Sequence, residues 1–167
     1  YKCNPEKIIL QNLRPLLPKI HMNSVNKHNF LLDFVELNLD KKKKWIFYPA
    51  QFWEHKNHNY LVDALDEINY LGMSEINFVF CGKDRGYLSE IKLKIKRKNL
   101  ENRFKFLDYL TDNQVISLYI YSDAVVIPTY LGRSSMPLLE SFYFNKEIFY
   151  GSNVLDEKFY KYVNKID

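Results

Sequence analysis

From Trp45 onward, short apolar runs alternate with stretches whose apolar residues recur every three or four positions, and few folds accept that alternation. The runs are Trp45–Ala50 (WIFYPA), Asn77–Gly82 (NFVFCG), Phe104–Leu107 (FKFL), Ala124–Thr129 (AVVIPT) and Glu147–Gly151 (EIFYG). Several are apolar on both alternating faces, as strands of a helix-covered parallel sheet must be.

The intervening stretches read as helices with legible ends. Leu61, Leu65, Ile68 and Leu71 recur at helical spacing, and Gly72 follows as a stop. Leu88, Ile91 and Ile95 form a second stripe; the same segment also alternates strictly, but its place between two strands favours a helix. The third helix opens on Thr111-Asp112-Asn113-Gln114, a capping-box pattern, and continues through Val115, Leu118, Tyr119 and Ser122. The fourth begins near Pro137, suited to a first turn, and ends at Asn145, which tolerates the left-handed conformation.

Strand and helix in repeated succession give βαβ units with right-handed crossovers, hence an α/β fold: a Rossmann-like, doubly wound parallel sheet. In the usual strand order the first and fourth strands are neighbours at the topological switch point, and ligands bind beyond their carboxyl ends. The loops to inspect are therefore Pro49–Asn59 and Pro128–Pro137.

The first 44 residues differ. Asn4–Leu10 is predicted as one strand, a Pro-punctuated stretch follows, and Phe30–Leu39 is an apolar patch that reads as a short helix. Lys41–Lys44 reads as a solvated run. The chain opens mid-pattern at Tyr1 and stops at Asp167 without a clear cap, so a piece of a longer protein is expected, with residues 1–44 as a connecting segment and 45–167 as the domain.

Composition narrows the chemistry. Hydrophobic residues make up 47% and charged residues 26%, which is ordinary globular composition, and the length suits one domain. The net charge of +4 fits an anionic ligand or a membrane surface without requiring nucleic acid, and none is expected as a partner. Of the two cysteines, Cys81 lies in an apolar run and reads as a buried strand residue, so no disulfide framework is implied. His55 and His58 sit close together, but no Cys or carboxylate cluster completes a metal site, and no metal or cofactor is expected. No Ser-His-Asp or Cys-His arrangement is legible. The basic stretch Lys92, Lys94, Lys96, Arg97, Lys98 reads as a solvated helix face, with contact to anionic lipid as the alternative. No signal peptide opens the chain, so a cytoplasmic setting is expected, at most peripheral at the inner face of the membrane.

The two switch-point loops hold the least generic residues. The first is Tyr48-Pro49-Ala50-Gln51-Phe52-Trp53-Glu54-His55-Lys56-Asn57-His58; the second runs from Pro128 through Tyr130, Leu131, Gly132, Arg133, Ser134, Ser135, Met136 and Pro137 to Glu140. Together they resemble the retaining family-4, or group 1, glycosyltransferases of the GT-B fold, and the resemblance covers roughly residues 45 to 156. It implies the C-terminal, donor-binding half of such an enzyme, with a nucleotide-sugar as substrate and a separate N-terminal acceptor domain.

The resemblance also implies roles. Lys56 matches a lysine that contacts the donor diphosphate, where charge grows as the diphosphate leaves. Gln51 stands where an Arg or Lys is common, so it offers a hydrogen bond but no charge; Arg133, in the opposite loop, is a candidate for the missing cation. Ser134, Ser135 and Met136 occupy the usual glycine-rich turn, whose N–H groups can cradle a phosphate or the sugar. Glu140 matches a glutamate that accepts hydrogen bonds from the ribose hydroxyls. Its partner eight residues earlier, the usual contact to the donor sugar, is replaced by Gly132. Gly82 keeps one glycine of a common pair, Tyr109 can flank the base or simply pack, and His55 can touch phosphate or sugar.

The expected function is therefore sugar transfer from a nucleotide-diphosphate sugar to a glycan or lipid-linked acceptor, in polysaccharide biosynthesis, with the fragment alone inactive. The alternatives are a non-catalytic nucleotide-sugar-binding module, or another GT-B enzyme such as a nucleotide-sugar epimerase or a glycogen-type synthase. A flavodoxin-like regulatory domain would need acidic residues after the first strand, where Gln51, His55 and Lys56 stand instead.

Overall fold

A computed structural model describes residues 14–24, 28–72, 75–132 and 136–167. Strands β1 (Lys44–Pro49), β2 (Ile76–Cys81), β3 (Phe104–Leu107), β4 (Ala124–Ile127), β5 (Glu147–Gly151) and β6 (Asn164–Ile166) form one sheet in the order β3-β2-β1-β4-β5-β6. Every pairing is parallel. β1 and β4 are neighbours, with Ile46 opposite Ala124 and Phe47 opposite Val125, which puts the switch point where the apolar runs predict it. Phe47, Val79, Phe80 and Val125 are fully buried, as strands covered on both faces require.

The helices are α1 (Leu17–Ser24), α2 (Phe30–Glu36), α3 (His58–Tyr70), α4 (Leu88–Arg97), α5 (Asp112–Tyr121) and α6 (Met136–Tyr143). The capping box at α5 is formed both ways: Gln114 N–H donates to Thr111 Oγ1 at 3.3 Å, and Thr111 N–H donates to Gln114 Oε1 at 3.0 Å. The stripe on α3 differs from expectation at its far end. The helix stops at Tyr70, Leu71 is 64% exposed, and the buried face is His58, Leu61, Val62 and Leu65. The segment 88–97 is helical, burying Ile91 and Ile95.

The predicted strand Asn4–Leu10 lies outside the described residues, as does Cys3. The patch from Phe30 is helical, and α1 and α2 both pack against α5. Leu17, Phe30, Phe34, Leu37 and Leu39 join the same apolar core as the sheet. With the sheet on one side and α1 and α2 on the other, α5 buries Ile116, Ser117, Leu118 and Tyr119 in succession. Cys81 is half-buried, and burial pushes its thiol up to about 12. Lys41–Lys44 is exposed. Among the described residues no helix is long and apolar enough to cross a membrane.

The basic face of α4 is smaller than its sequence suggests. Lys94 Nζ pairs with Asp63 of α3 at 2.5 Å and Lys98 with Asp66, while Lys92 lies over the Phe106 ring.

Candidate functional site

Tyr48 and its neighbours fix the first loop. After β1 the chain makes a short 3-10 turn at Glu54–Lys56, and Asn57 then takes a left-handed conformation, φ +57°, to start α3. Tyr48, buried at the end of β1, donates its hydroxyl to the Lys56 carbonyl at 2.7 Å. That bond ties the backbone at Lys56 to the strand.

The second loop is laced to the first. The His55 carbonyl accepts from Thr129 Oγ1 at 3.0 Å and from Tyr130 N–H at 3.2 Å, and Asn57 Nδ2 donates to the Pro128 carbonyl at 3.2 Å. Between the ends of β1 and β4 lies a cleft of about 320 Å³, lined by Gln51, Trp53, Lys56, Met136, Pro137 and the strand ends. Gln51, Lys56 and Met136 thus meet, as the sequence predicts. Among the described residues lining this cleft, Lys56 is the only cation. Burial lowers its pKa from the ordinary lysine value, so bringing an anion beside it recovers the lost solvation of the ammonium.

His55 and His58 have different surroundings. The His55 ring lies 6.1 Å from the Trp53 ring and near-parallel to it, and its pKa is lowered by burial and then by the Lys56 charge. His58 is fully buried among Tyr48, Phe52 and Phe80, with ring centroids 4.7, 4.9 and 5.1 Å away. Neither His58 nitrogen has a hydrogen bond of ordinary geometry; the Ala50 backbone is close enough only to favour the proton slightly, and burial takes the pKa down to about 3. The side chain is therefore a neutral wedge under the loop. Among the described residues no three His, Cys, Asp or Glu side chains gather to hold a metal ion.

Gly82 has a packing reason to be glycine. A Cβ there would be driven into the Ala50 carbonyl and within 2.8 Å of Gln51 Cα, because the first loop passes directly over it. Phe52 N–H donates to the Lys83 carbonyl at 3.0 Å just beyond, and Gly82 N–H to the Leu107 carbonyl at 3.1 Å. Gly82→Ala is expected to cost about 1–3 kcal/mol of stability, as overpacking against backbone does, and to weaken any ligand held by Gln51. Unchanged urea denaturation would refute the steric reading.

Further recesses open at the ends of β2 and β3. One, of about 420 Å³, is lined by Cys81, Lys83, Asp108, Tyr109, Leu110 and Val115. Tyr109 is 89% exposed there, so it does not pack in this domain's core. Gly132 sits at φ +95°, and no described residue lies within 4 Å of where a Cβ would stand; the backbone conformation disfavours a side chain at that position. Arg133, Ser134 and Ser135 lie outside the described residues.

Glu140 is held from an unexpected direction. Tyr119, fully buried on α5, donates its hydroxyl to Glu140 Oε2 at 2.8 Å. Phe144 stacks on the Tyr119 ring at 5.2 Å and Phe47 meets it edge-on at 5.1 Å, so the hydroxyl has little freedom. Burial raises the Glu140 pKa, opposed by the Tyr119 hydrogen bond. One oxygen is therefore committed within the domain. Glu140→Gln is expected to weaken ribonucleotide binding more than binding of the 2′-deoxynucleotide, a cycle with the ligand as one partner that separates ribose contact from general damage. Equal losses for both ligands, with a lowered melting temperature, would make Glu140 a partner of Tyr119 alone.

A six-stranded parallel sheet with an anion-compatible cleft at its switch point defines the class: a Rossmann-like α/β domain of the kind that forms half of a GT-B enzyme. The chain belongs to the family described as glycosyl transferases group 1, whose profile matches residues 30–151. No curated protein matches it by sequence. Solved structures share its fold. The glycosyltransferase from Rickettsia africae superposes with a TM-score of 0.73 at 15% identity, over 89% of this chain and 40% of that one. The C-terminal domain of a group 1 glycosyl transferase, LpcC from Francisella tularensis, gives 0.68 at 14% identity, over 84% and 75%. HepE from Anabaena, solved in complex with UDP, gives 0.60 at 17% identity, over 81% of this chain and 33% of that one. The chain thus spans about a third of HepE's length and 40% of the Rickettsia enzyme's.

Proposed function

We propose that this chain is the donor-binding half of a glycosyltransferase that uses a nucleotide-diphosphate sugar, and that the diphosphate lies in the cleft between β1 and β4 against Lys56. The observation that carries this reading is a half-buried lysine, the one cation among the described residues lining a switch-point cleft, on a loop tied to the opposite one by three hydrogen bonds. The similarity to HepE, whose structures hold UDP and UDP-glucose, supports the choice of ligand class. In this reading Glu140 meets the ribose and Tyr109 borders the base. Residues 45–167 serve as the donor domain, residues 1–44 lead in from a second, acceptor-binding domain, and transfer retains the anomeric configuration, as the loop motifs imply. The acceptor is a glycan or a lipid-linked saccharide, reached from the cytoplasm at the inner face of a membrane.

Calorimetric titration with UDP, GDP and ADP, each against its nucleoside, tests the site. One diphosphate is expected to bind well above its nucleoside, while the chain alone transfers no sugar, since half a cleft cannot orient both reactants. Failure of all three diphosphates to bind would overturn the reading.

A further inference from the structure

Gln51 looks at first like a weak substitute for a charged residue, yet its surroundings give it a cation. Its side-chain oxygen accepts from Arg85 Nε at 2.8 Å and from Trp53 Nε1 at 3.2 Å. The Arg85 guanidinium lies 5.7 Å from the Trp53 ring centre. Arg85 comes from the loop after β2, where the parallel bridge between Phe52 and Asp84 fixes the two loops side by side. Asp84 secures that loop in turn, accepting from Gly86 N–H at 2.8 Å and Leu88 N–H at 3.3 Å.

Two consequences follow from the chemistry. With its oxygen taken by two donors, Gln51 has only its NH₂ group left to offer, so it presents a donor to the cleft and no acceptor that would repel an anion. Arg85 spends one N–H on Gln51, and its terminal nitrogens make no hydrogen bond among the described residues, leaving a planar fork suited to phosphate oxygens. A diphosphate carries more negative charge than Lys56 alone balances.

We propose that Arg85 is a second diphosphate-binding residue, a guanidinium held at the edge of the cleft by Gln51 and Trp53 so that Arg85, Gln51 and Lys56 grip the pyrophosphate group together. The proposal rests on the reading of this cleft as a diphosphate site. It brings a cation to Gln51 from the loop after β2.

Because Arg85 is exposed, Arg85→Gln is expected to leave the fold intact, which a thermal melt checks. The probes are the tightest-binding of UDP, GDP and ADP, its nucleoside, and inorganic pyrophosphate. Arg85→Gln is expected to weaken the diphosphate and pyrophosphate about tenfold, the scale of a lost charge-assisted hydrogen bond, and to leave the nucleoside unchanged. Raising the salt concentration should shrink that difference. Gln51→Arg in the Arg85→Gln background returns a cation to the same place and is expected to restore most of the affinity. If Lys56→Ala weakens the diphosphate while Arg85→Gln changes it less than twofold, the role of Arg85 is overturned and the site stands. If Arg85→Gln weakens nucleoside and diphosphate equally, Arg85 serves only to pack Trp53. If neither variant matters, the diphosphate site itself is wrong.

Discussion

Lys56→Ala is expected to weaken nucleoside diphosphate binding by about 1.5–3 kcal/mol, the range for a hydrogen bond to a charged group. The nucleoside should bind as before. The contrast matters because the Lys56 backbone and side chain have separate tasks. Its carbonyl is fixed by Tyr48, and its N–H donates to the Trp53 carbonyl at 3.1 Å. Both bonds survive truncation to alanine, so the loop should keep its course while the cleft loses the one cation among its described lining residues. Calorimetry with paired ligands reads the difference directly. Equal losses for diphosphate and nucleoside would show that the lysine stem shapes the loop and that its charge meets no phosphate.

The second large effect is on stability. His58 has a folded pKa of about 3 against an ordinary 6.5, with burial as the main cause. In the unfolded chain the ring takes up a proton below pH 6.5; in the folded one it stays neutral. Stability is therefore complete above about pH 6.5 and falls as the pH drops toward 3. At about pH 4.5 the loss from this residue is on the order of 2 kcal/mol, at 1.36 kcal/mol per pH unit with allowance for relaxation around the ring. His58→Phe keeps a flat ring among Tyr48, Phe52 and Phe80 and removes the titrating group. Urea denaturation at about pH 7.5 and pH 4.5 should show the variant losing less stability on acidification than the parent. An unchanged acid dependence would mean that the ring is protonated or solvated in the folded chain.

Much of this architecture is written locally, and it reads well for that reason. The apolar runs give five of the six strands among the described residues, because a doubly covered sheet needs residues that are apolar on both faces. The capping box at Thr111 and the stop at Asn145, which has φ +50°, are set by a few adjacent residues. β6 escapes notice because Asn164–Ile166 is short and mostly exposed, with no apolar run to mark it. The face of α3 shifts toward His58 and Val62 because the N-terminal turn of that helix, not its end, lies under the first loop.

The cleft is legible in part for the same reason. Gln51, Lys56 and Met136 flank the switch point, so their meeting follows once the strand order is known. Arg85 and Tyr119 do not follow. Arg85 reaches Gln51 across 34 positions, and Tyr119 reaches Glu140 across 21, each between different helices or loops. Tyr119 in particular looks like one more core aromatic among 13 tyrosines, and only the direction of its hydroxyl distinguishes it. Gly82 carries a backbone reason to be small that no local pattern reveals, since the Ala50 carbonyl that crowds it lies 32 positions earlier.

The lacing between the two switch-point loops also governs where a chain of this kind can gain or lose residues over evolutionary time. Thr129 and Tyr130 both meet the His55 carbonyl, and Asn57 meets the Pro128 carbonyl, so an insertion between Gln51 and Asn57, or between Pro128 and Leu131, would pull several bonds out of register at once. Homologous sequences are therefore expected to hold their lengths constant from Gln51 to Asn57 and from Pro128 to Leu131.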